Sequence, residues 1–478
     1  MREGDFGAQS PPPAPTPKGG DLCCSVTLPD LCGCVACVAC DLSALLFGFV
    51  SPREETFAHK GLLPKPSSKV FGRALGPSVR YNISKENSMF KIQTLNAISN
   101  IIYTQLSADA YTVSKAEPVP DGVLVRSASM HETELPESLL GVARAGAGVN
   151  NIPIDRCNAQ GIAVFNTPGA NANAVAELVL GGLLLGSRNI AGGMVWAQSL
   201  KGQGAEVPKL VEKGKGQFVG PELRGKTLGV VGLGAIGALV ANAALNGLGM
   251  QVIGFDPFIS VESAWSLSRG IQRAGSTDEV LAKADYITFH VPLNDKTRGS
   301  IDAAAIAKMK PGAVLLNFSR AELAVAEDVK AALADGRLGA YVTDFPTDEL
   351  LGVDKVVCIP HLGASTPESE ENCARMAAAQ LRDYLEFGSI HNSVNLPELP
   401  LHAPEAARVL VIHENIPNTL STISGCVSRE GINIETMTNK SRKEMAVTVM
   451  DMSELPSDDA IAAIAALPGV IRVRTFAR

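Results

Sequence analysis

Between residues 227 and 366, six short β-rich runs (TLGVVGLG, MQVIGFDP, YITFHVP, AVLLNFS, AYVTDF and KVVCIPH) alternate with helical patterns. No other feature of the chain restricts its fold as strongly. Strands separated by helix-length crossovers pair in parallel, and helices then cover both faces of the sheet. A doubly wound α/β domain is expected, with its ligand in the crevice past the strand C-termini.

The first of these strands runs into GVVGLGAIGALVANAAL, which spaces Gly232, Gly234 and Gly237 as G-x-G-x-x-G. A strand precedes the triplet, and a helix beginning at Ala235 and Ile236 follows it, as dinucleotide binding requires. Gly232 serves the tight turn, Gly234 lets a pyrophosphate approach the backbone, and Gly237 lets helix and strand pack closely. The helix N-terminus offers the phosphates unpaired N–H groups and a positive dipole end. Nineteen residues after Gly237 the next strand closes on Asp256, placed to accept a hydrogen bond from a ribose 2′-hydroxyl. Its charge repels a 2′-phosphate, and DPFISVES holds no Arg or Lys, so NAD is the expected cofactor rather than NADP.

A nicotinamide that oxidises a hydroxyl needs a base for the hydroxyl proton and a cation for the neighbouring carboxylate. Three strand ends present polar groups at one rim: Arg320 after AVLLNFS, Asp344 after AYVT, and His361 after KVVCIP. Asp344 suits the nicotinamide amide. Asp348 and Glu349, in the loop after it, are both open as the carboxylate partner of His361.

Elsewhere, FKIQTLN, GVLVRS and VARAGAGVNN read as strands, and ANAVAELVLGGLLLGSRNIAGGMVW as one long buried helix. ESEENCARMAAAQLRDYLEFG is an amphipathic helix ending at Gly388. After a Pro-punctuated linker, residues 407–478 follow a βαββαβ pattern, a ferredoxin-like unit. The expected layout is a leader (1–88), a substrate domain (89–190), an inserted Rossmann-like NAD domain (191–366), a return helix and linker (367–398), and the C-terminal unit (407–478). Such an insertion makes a hinged cleft.

Residues 1–88 have a different texture. A Pro-rich start precedes LCGCVACVACDLSALLFGFV and then an acid-free stretch, 56–85, with six Lys or Arg. This order reads as targeting information, plastid first, with cytoplasmic or mitochondrial placement as alternatives. Asp41 interrupts the apolar run and counts against a membrane anchor. Cys32, Cys34, Cys37 and Cys40 sit in an uninterrupted apolar stretch and are read as small hydrophobes, so no metal site is expected. Six of the ten cysteines fall between residues 23 and 40, and the other four are scattered, which points to a reducing compartment. With 42 basic and 49 acidic residues, the net charge of −7 excludes a nucleic-acid partner, and any anionic substrate needs a local basic site.

Residues 89–400 resemble the D-isomer-specific 2-hydroxyacid dehydrogenases through GLGAIG…D, HVPL, NFSRAEL, TDF and PHLGAST. The resemblance implies a flavodoxin-like substrate domain and a catalytic set of Arg320, Glu349 and His361. In that family the nicotinamide-binding Asp and the carboxylate that pairs with His follow the Arg by 24 and 29 residues. That spacing lands on Asp344 and Glu349, and so prefers Glu349 over Asp348. It further implies that His361, Gly363 and Ala364 line the nicotinamide, that Phe318 and Ser319 touch the cofactor, and that His290, Val291 and Pro292 lie beside the adenosine. Arg126 and Arg144 would hold a phosphate, while the backbone of Gly146, Ala147, Gly148 and Val149, with Arg320, holds a carboxylate. The C-terminal unit resembles an ACT regulatory domain, in which His413, Asn415 and Asn433 would bind L-serine.

The implied activity is NAD-dependent oxidation of 3-phospho-D-glycerate to 3-phosphooxypyruvate, the entry to serine synthesis, by a homo-oligomer of two or four chains. Two other readings are a hydroxypyruvate or glyoxylate reductase of the same family and a non-catalytic NAD-sensing interaction protein. The chain departs from the family at Ala321-Glu322, Phe345-Pro346 and Asn418, which stands where glycine is frequent. Asn tolerates left-handed geometry, so the last turn is expected to survive.

Overall fold

The computed structural model describes residues 89–478, and Arg80–Asn82 as backbone. The leader and the Cys32, Cys34, Cys37 and Cys40 readings otherwise lie outside the described residues.

Strand β1 (Arg80–Asn82) precedes five parallel strands: β2 (Phe90–Leu95), β3 (Tyr111–Ser114), β4 (Gly122–Val125), β5 (Gly141–Arg144) and β6 (Ala163–Phe165). The five pair in the order β3-β2-β4-β5-β6, which is the flavodoxin-like arrangement. Seven more parallel strands follow: β7 (Thr227–Val231), β8 (Gln251–Phe255), β9 (Gln272–Arg273), β10 (Tyr286–Phe289), β11 (Ala313–Asn317), β12 (Leu338–Thr343) and β13 (Val356–Cys358). Their order, β13-β12-β11-β10-β7-β8-β9, reverses direction at β7 and β10. That switch point is where an open α/β sheet binds its ligand, and the Gly232 turn and His290 stand on either side of it.

The chain ends in an antiparallel sheet of β14 (Ala407–Glu414), β15 (Ile434–Arg442), β16 (Met445–Met452) and β17 (Val470–Ala477), ordered β17-β14-β16-β15. This is the ferredoxin-like order expected. Strand β1 adds to it in parallel along β17. Three residues counted as leader therefore belong to a sheet; RYN carries no strand signal of its own, because its partner lies at the far end of the chain.

Two further expectations need correction. The long apolar stretch is two helices, Ala172–Ser187 and Ile190–Ser199, bent by 69° at their junction. Arg188 is extended there, and the Asn189 side chain accepts from the Gly192 amide, an N-cap that starts a new helix. The second helix is not buried: Met194 and Val195 are 65% and 74% exposed. The first helix, assigned by sequence to the substrate domain, packs Val175, Val179 and Leu183 against Leu228, Val230 and Leu316 of the seven-stranded sheet. Apolar periodicity identifies a buried face but not the sheet that covers it.

Helix Pro367–Phe387 returns to the first sheet. Thr366 caps it by accepting from Ser369 N, and Gly388 ends it in left-handed geometry at φ 72°. Its Leu381 and Tyr384 share one core with Leu410, Ile412, Val447 and Phe476 of the C-terminal sheet. The other face of that sheet is covered by helices Thr419–Ser428 and Asp458–Ala465. Three buried arginines tie the C-terminal unit down. Arg474 donates to Tyr384 O and Leu385 O, both at 2.8 Å, and Arg408 to Phe387 O at 2.8 Å. These are last-turn carbonyls, of which the helix end itself pairs only Tyr384 O, through the Gly388 amide at 3.0 Å. Arg472 reaches Gln160 O at 3.0 Å and Leu139 O at 2.9 Å.

Candidate active site

Each glycine of the β7 turn meets a different physical demand. Gly232 has φ 92°, and a Cβ there would sit 2.5 Å from His290 O. A Cβ on Gly237 would lie 1.9 Å from Gly232 O, which only a bare backbone avoids. Gly234 caps helix Ala235–Asn246 at φ −70°, and a Cβ there would meet nothing within 4 Å. The empty space above Gly234 is a cradle open to a phosphate. Asp256, just past β8, accepts from Leu233 N at 2.9 Å and Phe258 N at 2.8 Å. It is thereby fixed beside the turn, with lone pairs to spare for a hydroxyl.

Beyond the turn, a cavity of about 270 Å³ is lined by Gly234, Ala235 and Ile236 at one end and by Asp344, Gly363 and Ala364 at the other. His290, Val291, Pro292, Phe318, Ser319, Arg320 and His361 complete it. His290 Nε2 lies 3.1 Å from Thr288 Oγ1, and burial pushes its pKa down to about 4, so the ring is neutral near pH 7. The hydroxyl of Ser319 donates to Phe289 O at 2.6 Å. Asp344 is 1% exposed, and no partner engages its Oδ1. Burial raises its pKa, opposed by His361, by the Gly363 amide and by Arg320. A buried carboxylate oxygen left without a donor fits a ligand amide. With the Gly234 cradle at the other end, these residues fit a nicotinamide dinucleotide. Pro168, Gly169 and Val175, which sequence reasoning overlooked, also line this cavity; the Thr-Pro-Gly before a helix was the available signal.

A second cavity, about 790 Å³, opens beside the first and shares Arg320 and His361 with it. Arg126 and Arg144 enter it from the ends of β4 and β5. Arg144 Nε donates to Arg126 O at 2.9 Å, and its Nη1 to Gly148 O. Burial, then the charge of Arg320, lowers the Arg144 pKa, so the two guanidiniums face a common space that favours an anion. Gly146, Ala147, Gly148 and Val149 line the same cavity. Among the described residues no acceptor engages the amides of Ala147, Gly148 and Val149. Arg320 Nη1 donates to Ser319 O at 2.6 Å.

The His361 ring lies exposed in the cleft, tilted against Phe345 with centroids 4.8 Å apart. Among the described residues no hydrogen bond or ion pair joins it to Glu349 or Asp348; both lie on an exposed turn that lines neither cavity. The carboxylate near His361 in this conformation is Asp344. Ser369, Glu370 and Cys373 of helix Pro367–Phe387 also line the larger cavity, and sequence reasoning missed them.

The proposed effector residues sit apart from both cavities. His413 is 2% exposed, with Nε2 2.8 Å from Thr448 Oγ1 and Nδ1 2.8 Å from Glu414 O. Its ring is committed to the sheet interior and does not face a ligand, against expectation. Asn415 and Asn433 are exposed. Asn418 takes the left-handed conformation (φ 68°) that its place in the turn demands.

Residues 190–363 match the profile of the D-isomer specific 2-hydroxyacid dehydrogenase, NAD binding domain. The D-3-phosphoglycerate dehydrogenase of Methanocaldococcus jannaschii is 37% identical over 273 residues, 56% of this chain and 49% of that one. The chain thus spans about half of that relative's length. The D-3-phosphoglycerate dehydrogenase of Haemophilus influenzae is 31% identical over 408 residues, 80% of this chain and 94% of the relative. Among solved structures, the crystal structure of cofactor (NAD+)-bound 3-phosphoglycerate dehydrogenase in Entamoeba histolytica superposes with a TM-score of 0.51 at 29% identity, over 65% of this chain and all of that one.

Proposed function

This chain belongs to the D-isomer-specific 2-hydroxyacid dehydrogenases and is an NAD-dependent enzyme, and from that premise we propose that it oxidises 3-phospho-D-glycerate to 3-phosphooxypyruvate, the entry step to serine. The observation that carries this reading is the larger cavity, where Arg126, Arg144 and Arg320 meet beside free backbone amides and His361. A substrate with a carboxylate at one end and a phosphate at the other uses all three cations. Hydroxypyruvate or glyoxylate would bring no second anion to the two distal arginines.

In this mechanism Arg320 and the Ala147–Val149 amides hold the carboxylate, while Arg126 and Arg144 hold the phosphate. His361 takes the hydroxyl proton as the carbonyl forms. NAD, when bound, supplies the acceptor for the hydride that leaves the same carbon. Asp344 would accept from the nicotinamide amide through its unpaired oxygen and so help to orient the ring. Glu349 would steady the protonated imidazole once cleft closure carries its turn inward.

The C-terminal unit is proposed as an ACT-type domain responsive to L-serine, through Asn415 and Asn433 rather than His413. The exposed apolar surface at Met194, Val195 and Val219, beside the Trp196–Phe218 ring pair, is proposed as a contact between copies of the chain. A substrate panel with NAD and NADP, product trapped, tests the reading. NADH formation from 3-phosphoglycerate far above that from D-glycerate or glycolate is expected, and absence of that preference would reject it. Serine at millimolar concentration should shift the thermal midpoint of the full chain.

A further inference from the structure

Arg126 already has a partner. Its Nη2 lies 2.6 Å from a carboxylate oxygen of Glu370, on the wall of the larger cavity. Glu370 stands in the first turn of helix Pro367–Phe387, where any acid complements the helix dipole. The dipole does not account for its choice of partner. Arg144 is steadied by the Arg126 and Gly148 carbonyls, and Arg320 by that of Ser319. Arg126 alone among the three spends its guanidinium on a carboxylate, at the place where a ligand anion would dock.

Building on the reading above, we propose that Glu370 is a specificity-determining gate, holding Arg126 in the empty cleft and yielding it only to the dianionic phosphate of a substrate. A 2-hydroxy acid without phosphate brings one carboxylate, which Arg320 and the 147–149 amides satisfy; the Arg126–Glu370 pair then stays closed. A phosphate brings a second, stronger anion that outcompetes a carboxylate for a bidentate guanidinium. The pair is well placed to exchange. Its side chains are 39% and 44% exposed, so water screens their attraction and receives the displaced carboxylate. The electrostatic consequence is that Glu370 weakens every phosphate-bearing ligand while leaving unphosphorylated ones almost untouched.

The test uses the full chain and inorganic phosphate as probe, by calorimetric titration at low ionic strength, with KM for 3-phosphoglycerate and for D-glycerate measured alongside. Glu370→Gln keeps the side-chain length and removes the charge. Phosphate affinity should rise about three- to tenfold. KM for 3-phosphoglycerate should fall in proportion, and KM for D-glycerate should move less than about twofold. In an Arg126→Met background the same substitution should do nothing, because the gate has lost its object. If Glu370 merely orients Arg126, Glu370→Gln will leave phosphate binding unchanged or weaker. That result overturns the gate while leaving the substrate reading intact, provided the wild type still turns over 3-phosphoglycerate. Absence of both phosphate binding and turnover in every form overturns the two together.

Discussion

His361 and His290 border the same cavity and are set up for opposite behaviour. His361 lies exposed in the open cleft, where the proposed mechanism has it take the hydroxyl proton, and Asn in its place keeps the size but not the basicity. His361→Asn should lower kcat by about 10²–10⁴-fold while NADH binding, read by fluorescence, stays within a few fold. His290 is held neutral by burial, which depresses its pKa from 6.5 to about 4. Between those values the unfolded chain binds a proton at this position that the folded chain refuses. Stability is therefore lost as pH falls through that window, and the loss levels off below about pH 4. Thermal midpoints between pH 7 and 4.5 should fall less steeply in His290→Asn than in the wild type; parallel slopes would show that His290 is not the group responsible. Arg320 and His361 were legible in the sequence because strand-end residues of a parallel sheet must share one rim. Glu370 was not, since its ion pair joins positions far apart in the chain and no local pattern marks it. Spacing also favoured Glu349, but spacing cannot say which way a loop turn faces, and this one faces solvent.

At the scale of elements, the β7 turn separates glycines needed for folding from a glycine needed for binding. Adding one methyl group at Gly237 drives it into Gly232 O, whereas the same methyl at Gly234 meets open space at an unstrained φ. Gly237→Ala should therefore lower the thermal midpoint of the ligand-free protein by several degrees, as expected for a close backbone contact forced apart. Gly234→Ala should leave that midpoint unchanged and weaken NAD binding by about tenfold or more, because the methyl group occupies the phosphate cradle. Equal melting of the two variants without ligand would contradict this division. The spacing of the triplet was plain in the sequence, and so were the six strands that end in site residues. The break at Arg188–Asn189 was harder to see. Its apolar flanks continue a helical pattern, and a single Asn side chain bonding to Gly192 N decides the matter.

For the molecule as a whole, the C-terminal unit packs as part of the lobe built on the five-stranded parallel sheet. A ferredoxin-like pattern after a Pro-rich linker suggests an independent module, since periodicity reveals one buried face per strand. The second face of this sheet is also covered: Leu410, Ile412, Val447 and Phe476 pack on Leu381 and Tyr384 of helix Pro367–Phe387. Arg474 lies over the Tyr384 ring, 4.6 Å from its centroid, while its guanidinium pairs the carbonyls of the last helical turn. The same helix carries Ser369, Glu370 and Cys373 into the larger cavity at its other end. Removing the unit would uncover a continuous apolar face and orphan the Leu385 and Phe387 carbonyls, a loss that no surface charge replaces. A fragment of residues 89–400 should thus unfold at a markedly lower temperature than a chain of residues 74–478 and bind a hydrophobic dye. A milder lesion separates packing from capping. Arg474→Met keeps an apolar side chain over Tyr384 but loses both bonds, and should cost about 2–4 kcal/mol in urea unfolding. Because the disturbed helix ends in the cavity, that variant should also raise KM for 3-phosphoglycerate. A fragment as stable as the longer chain, with unaltered KM, would show that the unit is merely tethered.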